Sequence, residues 1–103
     1  MSIEICNHSF EGPYTDTSDL KEQGGVYVIL DKRSNAKWTV IDVGQSSGVK
    51  SRVDSHDRKD CWTRNQRGTL GVAVMYTPGW SEQQREALER KIREAYTPMC
   101  GIR

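Results

Sequence analysis

Four side chains with complementary chemistry lie far apart along the chain. They are the phenol of Tyr27, the guanidinium of Arg52, the imidazole of His56 and the carboxylate of Glu89. A carboxylate can hold a divalent metal ion, which polarises a phosphate and neutralises a leaving oxygen. A guanidinium stabilises charge on a phosphate oxygen, and a phenol or an imidazole can take a proton from water. Together these are the groups that hydrolysis of a phosphodiester requires.

Each of these residues also has a purely structural interpretation. Tyr27 can pack within a strand, and Arg52 with His56 can form the solvated face of a helix. Glu89 can pair with an arginine four residues before or after it on a helix. One such residue alone therefore does not indicate a function, and only the arrangement of several can.

The apolar pattern predicts three strands. Runs of β-branched and aromatic residues predict strands over 25–30, 38–44 and 69–76, and a polar turn joins the first two as an antiparallel hairpin. The third run is apolar on both faces, which is typical of a strand that is central in its sheet or covered on both sides.

Two helical segments are predicted between the second and third strands. The first begins at a serine cap, Ser46 or Ser47, and reaches about His56. Val49 and Val53 form its buried edge because they stand four residues apart. A short basic helix or an irregular segment follows as far as residue 67.

The last helix begins at a capping box, because Gln84 stands three residues after Ser81, and it ends before Pro98. Its apolar stripe consists of Leu88, Ile92, Ala95 and Tyr96. The order strand, strand, helix, strand, helix predicts a small α+β domain, arranged as an α/β/α sandwich.

Length and charge set the organisation of the chain. A chain of 103 residues forms one domain, 1–103. Residues 1–46 hold four Lys/Arg against seven Asp/Glu, whereas residues 47–103 hold eleven against seven, for a net charge of +1. This asymmetry is consistent with a side that faces a polyanion, and equally with an ordinary solvated surface, so charge alone identifies no partner.

The cysteines and the chain start bear on location. The chain has an odd number of cysteines, and they are widely spaced: Cys6, Cys61 and Cys100. This pattern predicts reduced thiols in a cytoplasmic protein rather than a disulfide framework. The first eleven residues have neither the basic start nor the apolar stretch of a signal peptide. The longest apolar run is far shorter than the ~20 residues that span a bilayer, so no membrane partner is expected.

The spacing of the candidate residues resembles that of the GIY-YIG endonucleases. The first half-motif of that family appears as Gly25-Val26-Tyr27, and the second aligns with Asp42-Val43-Gly44. Gln45 and Ser46 follow where the family has a Gly-Lys-Ser/Thr-like run. Arg52 lies eight residues after the last glycine, and His56 lies four residues further on, as in many members.

The resemblance continues into the last helix and covers residues 24–101. Glu89 has an aliphatic residue three positions later and Pro98 nine positions later, which are the family's offsets. Two positions depart from the pattern. Asp42 stands where the family has its second tyrosine, and it could repel the substrate or serve as a second metal ligand. Gly101 replaces an asparagine, which removes an amide that would help to fix the site.

The resemblance implies a small three-stranded antiparallel sheet flanked by helices, and a DNA endonuclease that uses Mg²⁺ or Mn²⁺. Tyr27 would be the general base or orient the attacking water, Arg52 would stabilise the transition state, and His56 would assist proton transfer or contact phosphate. Asp42 is included among the catalytic residues. Glu89 would be the only protein ligand of the metal, which suits an ion that keeps much of its hydration shell.

The expected partner is DNA, with target specificity supplied by loops, by homo-oligomerisation or by a separate specificity subunit. Trp62 lies among the basic residues and can stack on a base or cover the rim of the sheet. One alternative function is a catalytically impaired nucleic-acid-binding module on the same fold, and another is a protein-interaction domain. The residues expected to bind DNA are Gln45, Lys50, Arg58, Lys59, Arg64 and Arg67.

Overall fold

An antiparallel sheet forms the centre of the molecule in the computed structural model, which describes residues 1–33 and 37–101. Within these residues the strands are β1 (Ser2–Ile5), β2 (His8–Tyr14), β3 (Gly25–Lys32), β4 (Trp38–Ser46) and β5 (Thr69–Tyr76). The α-helices are α1 (Val49–Asp54), α2 (Lys59–Asn65) and α3 (Glu82–Tyr96). A 3-10 turn, Thr17–Asp19, precedes β3.

The strand order is β1-β2-β5-β3-β4, and every neighbouring pair is antiparallel. The three strands predicted from the sequence are β3, β4 and β5, and β5 is central as its two apolar faces indicate. The sheet nevertheless has five strands in the described residues, so the prediction of three was wrong. The β1–β2 hairpin escaped prediction because β1 is short and β2 contains Pro13, which coincides with a shift in register between Glu11 and Tyr14.

Different helices cover the two faces of the sheet. On one face, Leu88 and Ile92 of α3 pack against a cluster that includes Val28 and Phe10. On the other face, the α1 and α2 side chains pack against Tyr27, Ile29 and Ile41. These helical side chains are Val49, Val53 and Trp62. The predicted α+β class and the helical layer on each face are therefore confirmed.

The helix α3 begins as predicted but is buried over a shorter stretch. Ser81 and Gln84 form the capping box, with Ser81 N donating to the Gln84 side chain at 2.8 Å and Gln84 N donating to the Ser81 hydroxyl at 3.2 Å. Ala95 and Tyr96 are exposed, so the predicted apolar stripe was wrong at its C-terminal end. Among the described residues, no helix has the length and apolar composition needed to cross a bilayer.

A disulfide joins Cys61 in α2 to Cys100, which follows α3, with 5.9 Å between their Cα atoms. The prediction of three reduced thiols was therefore wrong for this pair, and Cys6 is the free cysteine of the described residues. The two cysteines are 39 positions apart, and only the packing of α2 beside the C-terminal segment brings them together. The backbone N–H of Cys100 also donates to the carbonyl of Ile41 in β4 at 3.0 Å.

Candidate active site

Tyr27 and Gly44 lie opposite each other in the β3–β4 ladder. A Cβ atom at Gly44 would overlap both the hydroxyl and the ring of Tyr27. The phenol therefore lies across the backbone of β4, which is an edge strand of the sheet. Tyr27 is only 1% exposed, so its side chain has no free space to occupy if Gly44 gains a side chain.

The buried ring of His56 contacts the phenol of Tyr27. The Nε2 atom of His56 lies 2.8 Å from the Tyr27 hydroxyl, and the two rings meet edge to face. The backbone N–H of Arg58 donates to Nδ1 at 3.1 Å, which leaves the proton of a neutral imidazole on Nε2. Nε2 therefore donates to the phenolic oxygen. The carboxylate of Asp57 lies 3.3 Å from the same Nδ1 and is a partner for the protonated ring only.

Burial controls the protonation of this pair. Burial, reinforced by the charges of Arg52 and Arg58, lowers the pKa of His56 to about 4. Burial raises the pKa of Tyr27 to about 12, and outweighs the charge of Arg52, which acts in the opposite direction. At neutral pH the imidazole is therefore uncharged and the phenol keeps its proton.

Arg52 lies on α1 and is half-buried, with one guanidinium nitrogen 3.0 Å from the carboxylate of exposed Asp57. The helix is held by Glu22, which accepts hydrogen bonds from both the backbone N–H and the hydroxyl of Ser51. The predicted serine cap is absent, because the N-cap residue is Gly48 and has no side chain to cap with. Glu22 was not predicted as a site residue, since it precedes β3 and only the fold brings it to α1.

Asp42 is fully buried, and its two oxygens are occupied by donors. Nitrogen atoms of Arg58, Trp62 and Arg93 each lie 2.7 Å from them, and the backbone N–H of Val43 donates at 2.8 Å. Burial alone raises the pKa of Asp42, but the hydrogen bonds from these side chains bring it below its ordinary value. A carboxylate has about four lone-pair positions, so Asp42 has none left for a metal ion. This geometry favours a structural role.

Glu89 belongs to the helix that packs on the opposite face of the sheet from Tyr27. It lies on α3, its side chain is 13% exposed, and its Oε2 atom accepts from Nε of Arg93 at 3.2 Å. The negative charge of Glu89 nevertheless acts on Tyr27, as the positive charge of Arg52 does. The structure therefore places Tyr27 and His56 in direct contact, whereas Arg52 and Glu89 act on the phenol through their charges and contact Asp57 and Arg93 instead.

The chain was compared with protein-family models, with curated proteins and with solved structures. None of them matches. What the site does is therefore inferred from its own residues and contacts.

A metal ion at this site would have one protein carboxylate. No group of three or more His, Cys, Asp or Glu side chains that could hold a metal occurs in the described part of the chain. A single carboxylate fits Mg²⁺ or Mn²⁺, which complete their coordination with water and phosphate oxygens. Glu89 meets this requirement because one of its oxygens accepts from Arg93 while the other is left for an ion.

The residues expected to bind DNA separate into two groups. Gln45 accepts from Arg85 at 2.9 Å, and Arg58 is held by Asp42, so these two side chains are engaged within the protein. Trp62 is 4% exposed and belongs to the core, which agrees with its structural interpretation rather than with base stacking. Four basic side chains around α1 and α2 reach solvent, and we call them the basic surface. They are half-buried Lys50 and exposed Lys59, Arg64 and Arg67.

Proposed function

We propose that the protein is a metal-dependent endonuclease that hydrolyses DNA phosphodiester bonds, with a GIY-YIG-like unit formed by β4, β3, β5 and their helices. One observation carries the proposal. The buried hydrogen bond between Tyr27 and His56 lies over Gly44, where opposite charges from two helices act on the same phenol. This contact and these charges support a site in which groups that suit phosphate hydrolysis act together although they lie far apart in the sequence.

The protonation states favour one of the two roles expected for Tyr27. Its phenolic oxygen accepts from His56 Nε2–H, so its own O–H is directed at another acceptor, such as a water or a phosphate oxygen. Tyr27 would then orient the attacking water rather than take its proton. His56 would hold the phenol, and Arg52 would stabilise the charge of the transition state. Glu89 would hold the metal, which when bound polarises the phosphate.

Asp42, expected to be catalytic, and Arg58, expected to bind DNA, receive other roles in this proposal. Asp42 organises the arginines around the β4 edge instead of reacting, because its oxygens are occupied. Arg58 neutralises Asp42 and is not counted among the DNA contacts. The basic surface would bind the DNA backbone next to the site. A specificity subunit, a homo-oligomer and the cytoplasmic location stay predictions.

The test is nicking of supercoiled plasmid DNA with Mg²⁺ or Mn²⁺. Glu89→Gln and Arg52→Ala should each lower the rate by about 100-fold, since each removes a charge that acts at the reacting phosphate. The matched control is Glu86→Gln, which neutralises an exposed carboxylate one turn earlier on α3 and should retain the wild-type rate. Equal nicking by all four proteins would identify a contaminating nuclease and end the proposal.

A second function, DNA binding without cleavage, is favoured by the ion pair between Glu89 and Arg93. If the positive charge of Arg93 neutralises Glu89, the carboxylate loses its attraction for a cation. In that case the protein would bind DNA in a salt-dependent manner, Mg²⁺ would not change the affinity, and no nicks would accumulate. The same plasmid, analysed by gel shift and by nicking, separates the two functions.

A further inference from the structure

The two positions that depart from the GIY-YIG pattern, Asp42 and Gly101, are neighbours in space. A Cβ atom at Gly101 would lie 3.0 Å from an oxygen of Asp42 and 2.7 Å from a guanidinium nitrogen of Arg93. Gly101 also has a φ angle of +74°, which disfavours residues with side chains. The space that a side chain at 101 would need is therefore occupied by the pair of Asp42 and Arg93.

All three nitrogens of the Arg93 guanidinium are engaged. Nε contacts Glu89 at 3.2 Å, one terminal nitrogen donates to the carbonyl of Cys100 at 3.0 Å, and the other donates to Asp42 at 2.7 Å. The last nitrogen also donates to the carbonyl of Val43 in β4. The planar guanidinium is thus fixed by β4 and by the C-terminal segment, and it presents Nε to Glu89.

Charge balance makes this arrangement compatible with a cation nearby. An arginine beside a metal-binding carboxylate would repel the metal if its charge were not compensated. Asp42 offsets one of the two positive charges of Arg93 and Arg58, against both of which it is buried. With Glu89, the four side chains hold two negative and two positive charges.

We propose that Arg93 is a positioning residue that fixes the direction of the Glu89 carboxylate toward a divalent cation, and that Asp42 and the bare backbone of Gly101 hold Arg93 in place. The inference rests on the proposed function, since it assigns the metal to Glu89. A ligand carboxylate on a long, flexible side chain gains affinity when a second residue restricts its orientation. The i,i+4 spacing predicted that an arginine such as Arg93 could pair with Glu89, but no local pattern links Arg93 to Asp42, which lies 51 positions away.

Mn²⁺ binding in the absence of DNA tests the inference, with free Mn²⁺ followed by electron paramagnetic resonance. Arg93→Lys keeps the charge but loses the planar group, and Gly101→Ala displaces the guanidinium without changing any charge. Both should weaken Mn²⁺ binding about 10-fold. In nicking assays both should lower kcat more than they raise KM for DNA. The control Arg90→Lys alters an exposed arginine of α3 and should bind Mn²⁺ as the wild type does.

The outcomes separate this inference from the proposed function. If the wild type binds Mn²⁺ and Glu89→Gln does not, while Arg93→Lys and Gly101→Ala bind as the wild type does, the positioning role is wrong and the metal site stands. Tighter Mn²⁺ binding by Arg93→Lys would also overturn it, since Arg93 would then compete with the metal. If the wild type binds no Mn²⁺, both the metal site and the positioning role fail. Thermal melting of each variant confirms that it is folded.

Discussion

At the scale of single residues, His56 and Tyr27 depend on each other because both polar groups are buried. His56 is 5% exposed and Tyr27 1%. A buried hydroxyl or imidazole without a hydrogen bond costs about 1–3 kcal/mol, so the shared bond stabilises the fold as well as the site. The low pKa of His56 therefore has consequences for stability that are measurable without any substrate.

Lowering the pH should destabilise the protein through His56. Its pKa is about 4 in the folded protein and 6.5 for an unburied histidine, so between these values the unfolded chain binds a proton that the folded chain does not. The free energy of unfolding should fall by up to roughly 3 kcal/mol as the pH drops through this window. Urea unfolding at a series of pH values measures this loss.

The variant His56→Gln should remove most of this pH dependence, whereas His8→Gln, the matched control at the β1–β2 hairpin, should retain it. Asp42 does not contribute in this window, because its pKa lies below 3.8 and its stabilisation is lost only in more acidic solution. Equal slopes for the wild type and His56→Gln would show that His56 is not the titrating group.

Gly44→Ala should disrupt the site by steric overlap. The added methyl group would occupy the position of the Tyr27 ring, and overpacking of this kind costs about 1–3 kcal/mol. Gly24→Ala is the matched control, because a Cβ there would meet its nearest neighbour at an ordinary 3.5 Å. The melting temperature and the nicking rate should both decrease for Gly44→Ala. Both should stay near the wild-type values for Gly24→Ala. A stable and active Gly44→Ala would contradict the placement of the phenol over β4.

At the scale of secondary structure, the edge strand β4 is shielded by groups from outside the sheet. The backbone of Cys100 donates to Ile41, and Arg93 donates to Val43, so two carbonyls of this edge are occupied. Shielding an edge prevents it from pairing with another chain. It also holds Arg93, the partner of Glu89, against Val43, which precedes Gly44 in β4. The same contacts therefore protect the sheet and assemble the candidate site.

Local signals predicted the elements, and long-range contacts account for what was missed. The capping box at Ser81 and the β-branched strands depend on neighbouring residues, so their positions were predicted closely. The cap of α1 depends on Glu22, which is 29 positions from Ser51, and no local pattern reports it. The burial of Asp42 was also missed, because its partners lie 16 to 51 positions away. The sequence thus predicts which residues could react, but not what holds them.

Removing the Glu22 cap should loosen α1 and lower activity. Glu22→Ala leaves the backbone N–H of Ser51, in the first turn of α1, without its acceptor, so hydrogen exchange of the α1 amides should become faster. Because α1 carries Arg52, nicking should fall several-fold with little change in the rest of the exchange pattern. Glu4→Ala, at an exposed position of β1, is the control. Unchanged exchange in α1 would show that the cap does not hold the helix.

At the scale of the whole molecule, the disulfide connects α2 to the segment that follows α3. Cys61 lies in α2, which supplies Trp62 to Asp42, and the carbonyl of Cys100 accepts from Arg93. A disulfide that closes a loop of this length restricts the unfolded chain and stabilises by about 4 kcal/mol in the chain-entropy treatment. Reduction should therefore loosen both the fold and the anchoring of Arg93.

Dithiothreitol should lower the melting temperature and the Mn²⁺ affinity of the wild type, and Cys61→Ser should reproduce both effects without reductant. Cys6→Ser is the matched control, because Cys6 is a free cysteine. This variant should have the melting temperature and the Mn²⁺ affinity of the wild type, and dithiothreitol should lower both as it does in the wild type. The reduced protein also bears on the predicted cytoplasmic location, where thiols stay reduced. If the reduced protein melts far above physiological temperature, the fold tolerates a reducing environment. Oxidation to the disulfide would then strengthen metal binding, because the bridge anchors Arg93. An identical melting curve with and without reductant would mean that the bridge does not form in solution.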